Sequence, residues 1–255
     1  MPELPEVETV CRVMRRTLEG KRIASVEVVR DPIVFSGHAP AAVEKALKGR
    51  VVESVGRRGK FFWLTLSGDG PTVFGHLGMT GWIREVGKEG TRLMGHGAAP
   101  FDDEDGRPRF LRLLVRTAGG RGIAFTDARR FGRIWISPSP ATDRRVKRLG
   151  PDALDELPEI EALLEKPARR QGAVKAVVLD QGVISGIGNW IADEVLYQAK
   201  ISPKRRASSL KKAEVVTLRR VILRVLTLAV KVGSDHRRFP KSWRFEHRWG
   251  GTRGA

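Results

Sequence analysis

At 255 residues the chain is long enough for two modest cores, and a hydrophobic content of 41% excludes a disordered polymer. Lys and Arg number 47 against 29 Asp and Glu, a net charge of +18 that attracts polyanions. A single cysteine, Cys11, excludes an internal disulfide and a four-cysteine zinc site, and no apolar run approaches the ~20 residues that span a bilayer.

The elements follow in chain order. Leu4, Val7, Val10, Cys11, Met14 and Leu18 repeat at helical spacing, which predicts a helix over 4–18 with Cys11 on its buried stripe. Strands are expected at Ile23–Val29, at Val51–Val55 and Phe61–Leu66 around a hairpin turn of residues 56–60, and across Thr72–Ile83, where Gly75, Gly78 and Gly81 interrupt the pattern. Phe110–Thr117 and Ile123–Phe125 flank Gly119-Gly120 as a further hairpin, and Arg133–Ile136 is a last short strand. Residues 87–109 are polar and read as a surface loop. After Pro138-Ser139-Pro140 the pattern turns helical: Val174–Asp180, then a glycine-rich turn, then Asn189–Lys200. A long helix follows to Val232, capped by Ser208-Ser209, with Val215, Leu218, Val221, Ile222, Val225, Leu226 and Val230 inward. The expected architecture is α+β: an N-terminal β-sandwich with a leading helix over 1–137, a helical domain over 138–232, and a tail over 233–255.

The start of the chain carries chemistry. A small second residue lets the initiator Met be removed, which would expose the secondary amine of Pro2. An α-amine titrates near ~8 and a lysine near ~10.4, so far more of the former is neutral at pH 7. A neutral amine can attack a sugar C1′ and form an iminium. Glu3 adjoins that amine and Glu6 lies one turn on; paired carboxylates there can shuttle protons, or can simply favour a helix N-terminus.

Pro2-Glu3-Leu4-Pro5-Glu6-Val7-Glu8 resembles the opening of the formamidopyrimidine-DNA glycosylase and endonuclease VIII family. Four further motifs are similar and in order: residues 57–60 (Arg-Arg-Gly-Lys), 76–81 (His-Leu-Gly-Met-Thr-Gly), 126–132 (Thr-Asp-Ala-Arg-Arg-Phe-Gly) and 186–194 (Gly-Ile-Gly-Asn-Trp-Ile-Ala-Asp-Glu). The resemblance implies a β-sandwich followed by a helix–two-turn–helix domain. It also implies a bifunctional base-excision-repair enzyme that removes oxidised purines (8-oxoguanine, formamidopyrimidines) and nicks abasic sites by β,δ-elimination.

By the same resemblance Pro2, Glu3, Glu6 and Lys60 are the catalytic set, with Lys60 reaching a phosphate or the opened sugar from its turn. DNA would be contacted by His76, Met79, Arg129, Phe131, Lys175, Asn189 and Glu194. A flipped nucleotide leaves a hole; Met79 and Phe131 would fill it while Arg129 meets the orphaned base. The first turn after Gly186 would offer free N–H groups to a phosphate, beside a basic face of Arg57, Arg58, Lys60, Arg129 and Arg130. The expected partner is damaged double-stranded DNA, bound by a monomer without cofactor or metal. The expected compartment is intracellular: the nucleus in a eukaryote, the cytoplasm and nucleoid in a bacterium. Family members end in a DNA-binding finger. Residues 239–245 (Phe-Pro-Lys-Ser-Trp-Arg-Phe) are similar to the approach to the metal-free finger of the plant and fungal branch, and no finger is recognisable before Ala255. The alternatives are a catalytically weak damaged-DNA binder and a basic RNA-associated protein.

Overall fold

The computed structural model describes residues 2–88, 90, 102–158 and 171–247. It divides into two compact units: Pro2 with Glu6–Lys147, and Glu3–Pro5 with the chain from Arg148 onward.

In the first unit, helix α1 (Leu4–Leu18) buries Val7, Val10, Cys11, Met14 and Leu18, each no more than 1% exposed, as the spacing predicts. Burial pushes the Cys11 thiol up to about 12, so it acts as a small hydrophobe rather than a nucleophile. Strand β1 (Ile23–Val28) precedes helix α2 (Pro40–Leu47), which the sequence reading passes over. Its proline sits in the first turn, where a missing N–H costs nothing, and Val43, Ala46 and Leu47 face inward.

Seven more strands follow: β2 (Val52–Arg58), β3 (Phe61–Leu66), β4 (Thr72–His76), β5 (Trp82–Glu85), β6 (Leu111–Thr117), β7 (Gly122–Thr126) and β8 (Arg133–Ser137). They form two four-stranded antiparallel sheets, ordered β1-β6-β7-β5 and β2-β3-β4-β8. One core joins their inner faces: Leu113, Val115, Ile123 and Phe125 from the first sheet meet Val55, Phe62, Leu64 and Val73 from the second. That is the expected sandwich. On the outer face of the second sheet the alternate residues Phe61, Trp63, Phe74 and Trp135 form a separate aromatic layer with Val146.

Two expectations change. The β2–β3 ladder runs to Arg58↔Phe61, so the turn is only Gly59-Lys60 rather than residues 56–60. Residues 72–83 are not one interrupted strand: Gly75 is paired within β4, Gly78 and Gly81 lie between β4 and β5, and these two strands belong to different sheets. Within the polar segment 87–109, residues 89 and 91–101 lie outside the described residues. Beyond them, Asp102 pairs with Arg84 and Asp103 with Arg109.

In the second unit a single cluster unites Leu4 with helices α4 (Val174–Leu179), α5 (Asn189–Gln198) and α6 (Lys212–Lys231). A short helix α3 (Arg144–Lys147), the one helix among the described residues between 138 and 173, still belongs to the first unit, where Val146 packs on Trp135. All seven residues expected on the inner face of α6 are buried. The expected cap is not its cap. Ser208 and Ser209 lie in a separate 3₁₀ turn, Ala207–Ser209, and α6 starts at Lys212. There the Glu214 carboxylate accepts from the Lys211 N–H at 2.7 Å. After α6, Phe239 and Phe245 pack on Trp190, with ring centroids 5.7 Å and 5.2 Å away, and Trp243 packs on Phe239 at 4.9 Å. Residues 236–247 are therefore folded onto α5, while 248–255 of the expected tail lie outside the described residues.

Candidate functional site

Glu3 is 2% exposed. Its carboxylate accepts from the backbone N–H groups of Gly188 (2.7 Å), Trp190 (2.9 Å) and Ile191 (3.2 Å), which are the first N–H groups of α5. A helix N-terminus leaves such donors without intrahelical partners and carries partial positive charge, so it stabilises an anion there. Here that anion is Glu3, and Leu4 adds a backbone bond to Gly186 O at 3.1 Å. Gly188 is required by this contact: a Cβ on it would lie 2.3 Å from Glu3 Cδ. The expectation that these N–H groups await a phosphate is therefore corrected; an internal carboxylate takes them. Asn189, at the same end, is exposed. Pro2 is buried ahead of α1, and Glu6, in the first turn of α1, is 7% exposed.

Within the first unit, Lys60 occupies the β2–β3 turn yet is only 8% exposed. An ordinary turn lysine is solvated; this one is not. Its charge acts on His76, at the end of β4, whose imidazolium form is disfavoured first by desolvation and then by Lys60 and Arg133, pushing its pKa down to about 4. His76 Nδ1 accepts from the Gly78 N–H at 3.1 Å. A neutral ring that accepts at Nδ1 carries its proton on Nε2, so His76 presents a neutral donor rather than a cation.

Met79 and Phe131 are 44% and 46% exposed, which removes the reading of either as core. Met79 lies in the β4–β5 loop, and Arg129 and Phe131 in the β7–β8 loop. The Arg129 guanidinium lies 5.3 Å from the Phe131 ring centroid. The two loops are tied by Asp127, 1% exposed, which the sequence motif contains and the sequence reading leaves without a role. Its carboxylate accepts from Thr80 Oγ1 (2.6 Å), Gly132 N (2.6 Å) and Arg129 N (3.3 Å). Gly78 lets the loops touch: its φ is +61°, and a Cβ there would lie 2.3 Å from the Phe131 carbonyl.

The basic face is narrower than expected. Arg57 has a side chain 2% exposed and donates to Glu8 at 3.0 Å. Burial raises the Glu8 carboxyl, but Arg15 and Arg57 outweigh it and hold the group below the ordinary carboxylate range. Arg130 grips Asp31 with two bonds, at 2.7 and 3.1 Å. Both arginines serve the fold. In the second unit Lys175 pairs with Asp193 at 2.5 Å. Glu194, expected beside DNA, is instead 1% exposed and accepts from Phe245 N at 2.9 Å and Gln198 Nε2 at 2.5 Å. Burial raises its pKa, and its contacts are those of an anchor for residues 244–245. The described residues do not fit a structural zinc: the one cysteine is buried on the inner face of α1, and among the described residues no group of three His, Cys, Asp or Glu stands together.

Fold and site define a class: an antiparallel β-sandwich with a buried turn lysine and tied apolar loops, and a helical unit entered by a buried glutamate. Residues 1–134 match the formamidopyrimidine-DNA glycosylase N-terminal domain and residues 149–241 the formamidopyrimidine-DNA glycosylase H2TH domain. The chain belongs to the formamidopyrimidine-DNA glycosylase family. A formamidopyrimidine-DNA glycosylase of Arabidopsis thaliana is 38% identical over 97% of this chain, which spans 63% of that relative's length. One from Moorella thermoacetica is 37% identical over 89% of this chain and 77% of its own. Among solved structures, the Lactococcus lactis enzyme bound non-covalently to abasic-site DNA superposes with a TM-score of 0.74 at 27% identity, covering 91% of this chain and 82% of that one. MutM in complex with DNA containing carbocyclic 8-oxo-G gives 0.74 at 27% identity, over 90% and 80%.

Proposed function

We propose that the chain is a DNA glycosylase of base-excision repair, acting on oxidised purines in duplex DNA and cleaving abasic sites by β,δ-elimination. The observation that carries this reading is the tethering of the Pro2-Glu3 start: three N–H groups of α5 hold Glu3, so the residue carrying the amine is fixed by its neighbour. Once Met1 is removed, the neutral Pro2 nitrogen bonds to C1′ as the bond to the base breaks, and the base leaves with a proton. Opening of the sugar ring gives an iminium. The iminium acidifies C2′–H; loss of that proton expels the 3′ phosphate, and a second elimination expels the 5′ phosphate. Glu3, held as an anion, stabilises the adjacent cation. Glu6 is the proposed proton carrier.

Lys60 and the Nε2–H of His76 are the proposed phosphate and sugar contacts. Met79 and Phe131 are the proposed fillers of the hole left by the flipped nucleotide, with Arg129 on the unpaired base. Lys175 and Asn189 are assigned to the flanking phosphates. Borohydride reduction tests the scheme, because an iminium can be reduced to a stable adduct on an abasic-site duplex. Wild type should give the adduct, and both Pro2→Gly and a form with Met1 retained should lose most of it. Equal trapping by either would remove Pro2 from the mechanism. No adduct from wild type, with duplex binding intact, would leave a damaged-DNA binder.

A further inference from the structure

The solvent face of α5 leads away from Asn189. Asn189, Asp193 and Tyr197 follow at spacings of four, so they share one side of α5, and Lys200 lies two residues past its last turn. At its C-terminal end the stripe opens into a cavity of about 460 Å³, within the range of small-ligand sites. Leu196, Ile201 and Pro203 make an apolar floor, and Tyr197, 56% exposed, offers its ring at the rim. Lys200 and Arg244 supply two cations. Asp193 also lines the cavity, but its carboxylate takes the Lys175 ammonium at 2.5 Å, so it does not leave the cavity acidic.

Lys200 is out of place on conformational grounds. The helix closes with Lys200 N on Tyr197 O at 3.1 Å and Ile201 N on Leu196 O at 3.0 Å, which sets residue 200 in the left-handed region, φ 56°. Glycine is the favoured residue there, and a lysine carries strain. A cation at a helix C-terminus also interacts with the dipole, which is the plainer reason for it. The same dipole repels a ligand anion, so a phosphate here must be held by side-chain cations and not by backbone.

We propose that this cavity is a subsite for an unpaired nucleotide, with the base stacked on Tyr197 and the phosphate held between Lys200 and Arg244. It rests on the reading above only in taking the nucleotide from a DNA strand. A flat ring beside an apolar floor and two cations matches a base with its phosphate. A phosphopeptide would use the cations and leave the ring idle.

The test titrates the full chain with a 5′-phosphorylated thymidine tetranucleotide, with inorganic phosphate, thymidine and a phosphoserine peptide as competitors. The tetranucleotide should bind, and Tyr197→Ala should weaken it by about 5- to 160-fold, the range that base–aromatic stacking gives. Arg244→Gln should weaken it as well. Lys200→Gly is the discriminating variant: affinity should fall about tenfold, the loss of a charge-assisted bond, while Tm stays level or rises because the strain is relieved. Unchanged affinity in Tyr197→Ala or Lys200→Gly overturns the proposal, as does a lowered Tm in Lys200→Gly. Competition by phosphate or by the phosphopeptide as effective as that of the tetranucleotide also overturns it. Borohydride trapping on an abasic duplex, run beside the titration, should be retained in all three variants. Failure of trapping in wild type counts against the glycosylase reading alone, because the titration judges the subsite by itself.

Discussion

Replacing Glu3 by Gln is the natural way to remove its charge while keeping its shape, and here it should not leave the fold intact. Glu3 Oε1 accepts from Trp190 N, and Oε2 accepts from Gly188 N and Ile191 N. A glutamine offers one carbonyl oxygen and one NH₂. With the oxygen in the place of Oε2, two bonds survive in neutral form and the NH₂ confronts the Trp190 N–H, donor against donor. A hydrogen bond to a charged group contributes about 1.5–3 kcal/mol, and an anion at a buried helix N-terminus up to ~2 kcal/mol. The combined loss is on the order of 2–4 kcal/mol. Urea unfolding of Glu3→Gln, read by the fluorescence of the six tryptophans, should show it as a lower midpoint with an unchanged slope. Gly188→Ala drives a Cβ to 2.3 Å from Glu3 Cδ and should destabilise through the same contact. In the double variant the two losses should fall short of their sum, because the contact breaks only once. A loss below about 1 kcal/mol in Glu3→Gln, or strict additivity with Gly188→Ala, would refute the capping role.

Other outcomes follow from the same geometry. Asp127→Asn places an amide among Thr80 Oγ1, Gly132 N and Arg129 N, and should lower stability by about 1–3 kcal/mol; excision of a paired lesion should fall further than lyase action on an abasic site, and equal falls would show that Asp127 serves only the core. Met79→Ala and Phe131→Ala, both exposed, should leave Tm within a degree or two while slowing excision of a paired lesion; a large drop in Tm would return them to the core. His76, lowered to about 4 against an ordinary 6.5, makes the unfolded chain bind the extra proton between those values, so stability should fall as pH drops from 6.5 to 4. His76→Gln should flatten that part of the pH–stability curve, and an unaltered curve would show that His76 does not titrate there.

How far the sequence could be read depended on whether the cause was local. The spacing of α1 and the inner face of α6 come from helical periodicity, and both appear as expected. The break at Gly78 and Gly81 was legible, but the continuity of β4 through Gly75 and the transfer of the chain from one sheet to the other were not, because strand pairing is set by distant partners. The cue for α2 was present in Pro40 ahead of an alanine-rich run. Arg57 had a cue too: it lies two residues after the buried Val55, hence on the same inward face of β2, where Glu8 meets it. Asp127 had none beyond its motif, since its work is to join two loops that are far apart in sequence.

The same distinction governs the net charge. A value of +18 invites the reading of a broad cationic surface, yet many of the arginines act inside the fold. Arg50 donates to the carbonyls of Ala46, Leu66, Ser67 and Pro71 and so ties the end of α2 to the turn after β3. Arg57 neutralises a buried Glu8, Arg130 a buried Asp31, and Arg205 pairs with Glu214. Each of these cations is matched to an anion or a set of carbonyls within a few ångströms, so its field beyond the surface is weak compared with that of an unpaired lysine. Affinity for a phosphate backbone counts the cations that actually displace counterions, not those in the composition. The salt dependence of DNA binding should accordingly report a contact number far below 18, and charge removal at Arg57 or Arg130 should lower stability while leaving the slope of log K against log salt unchanged.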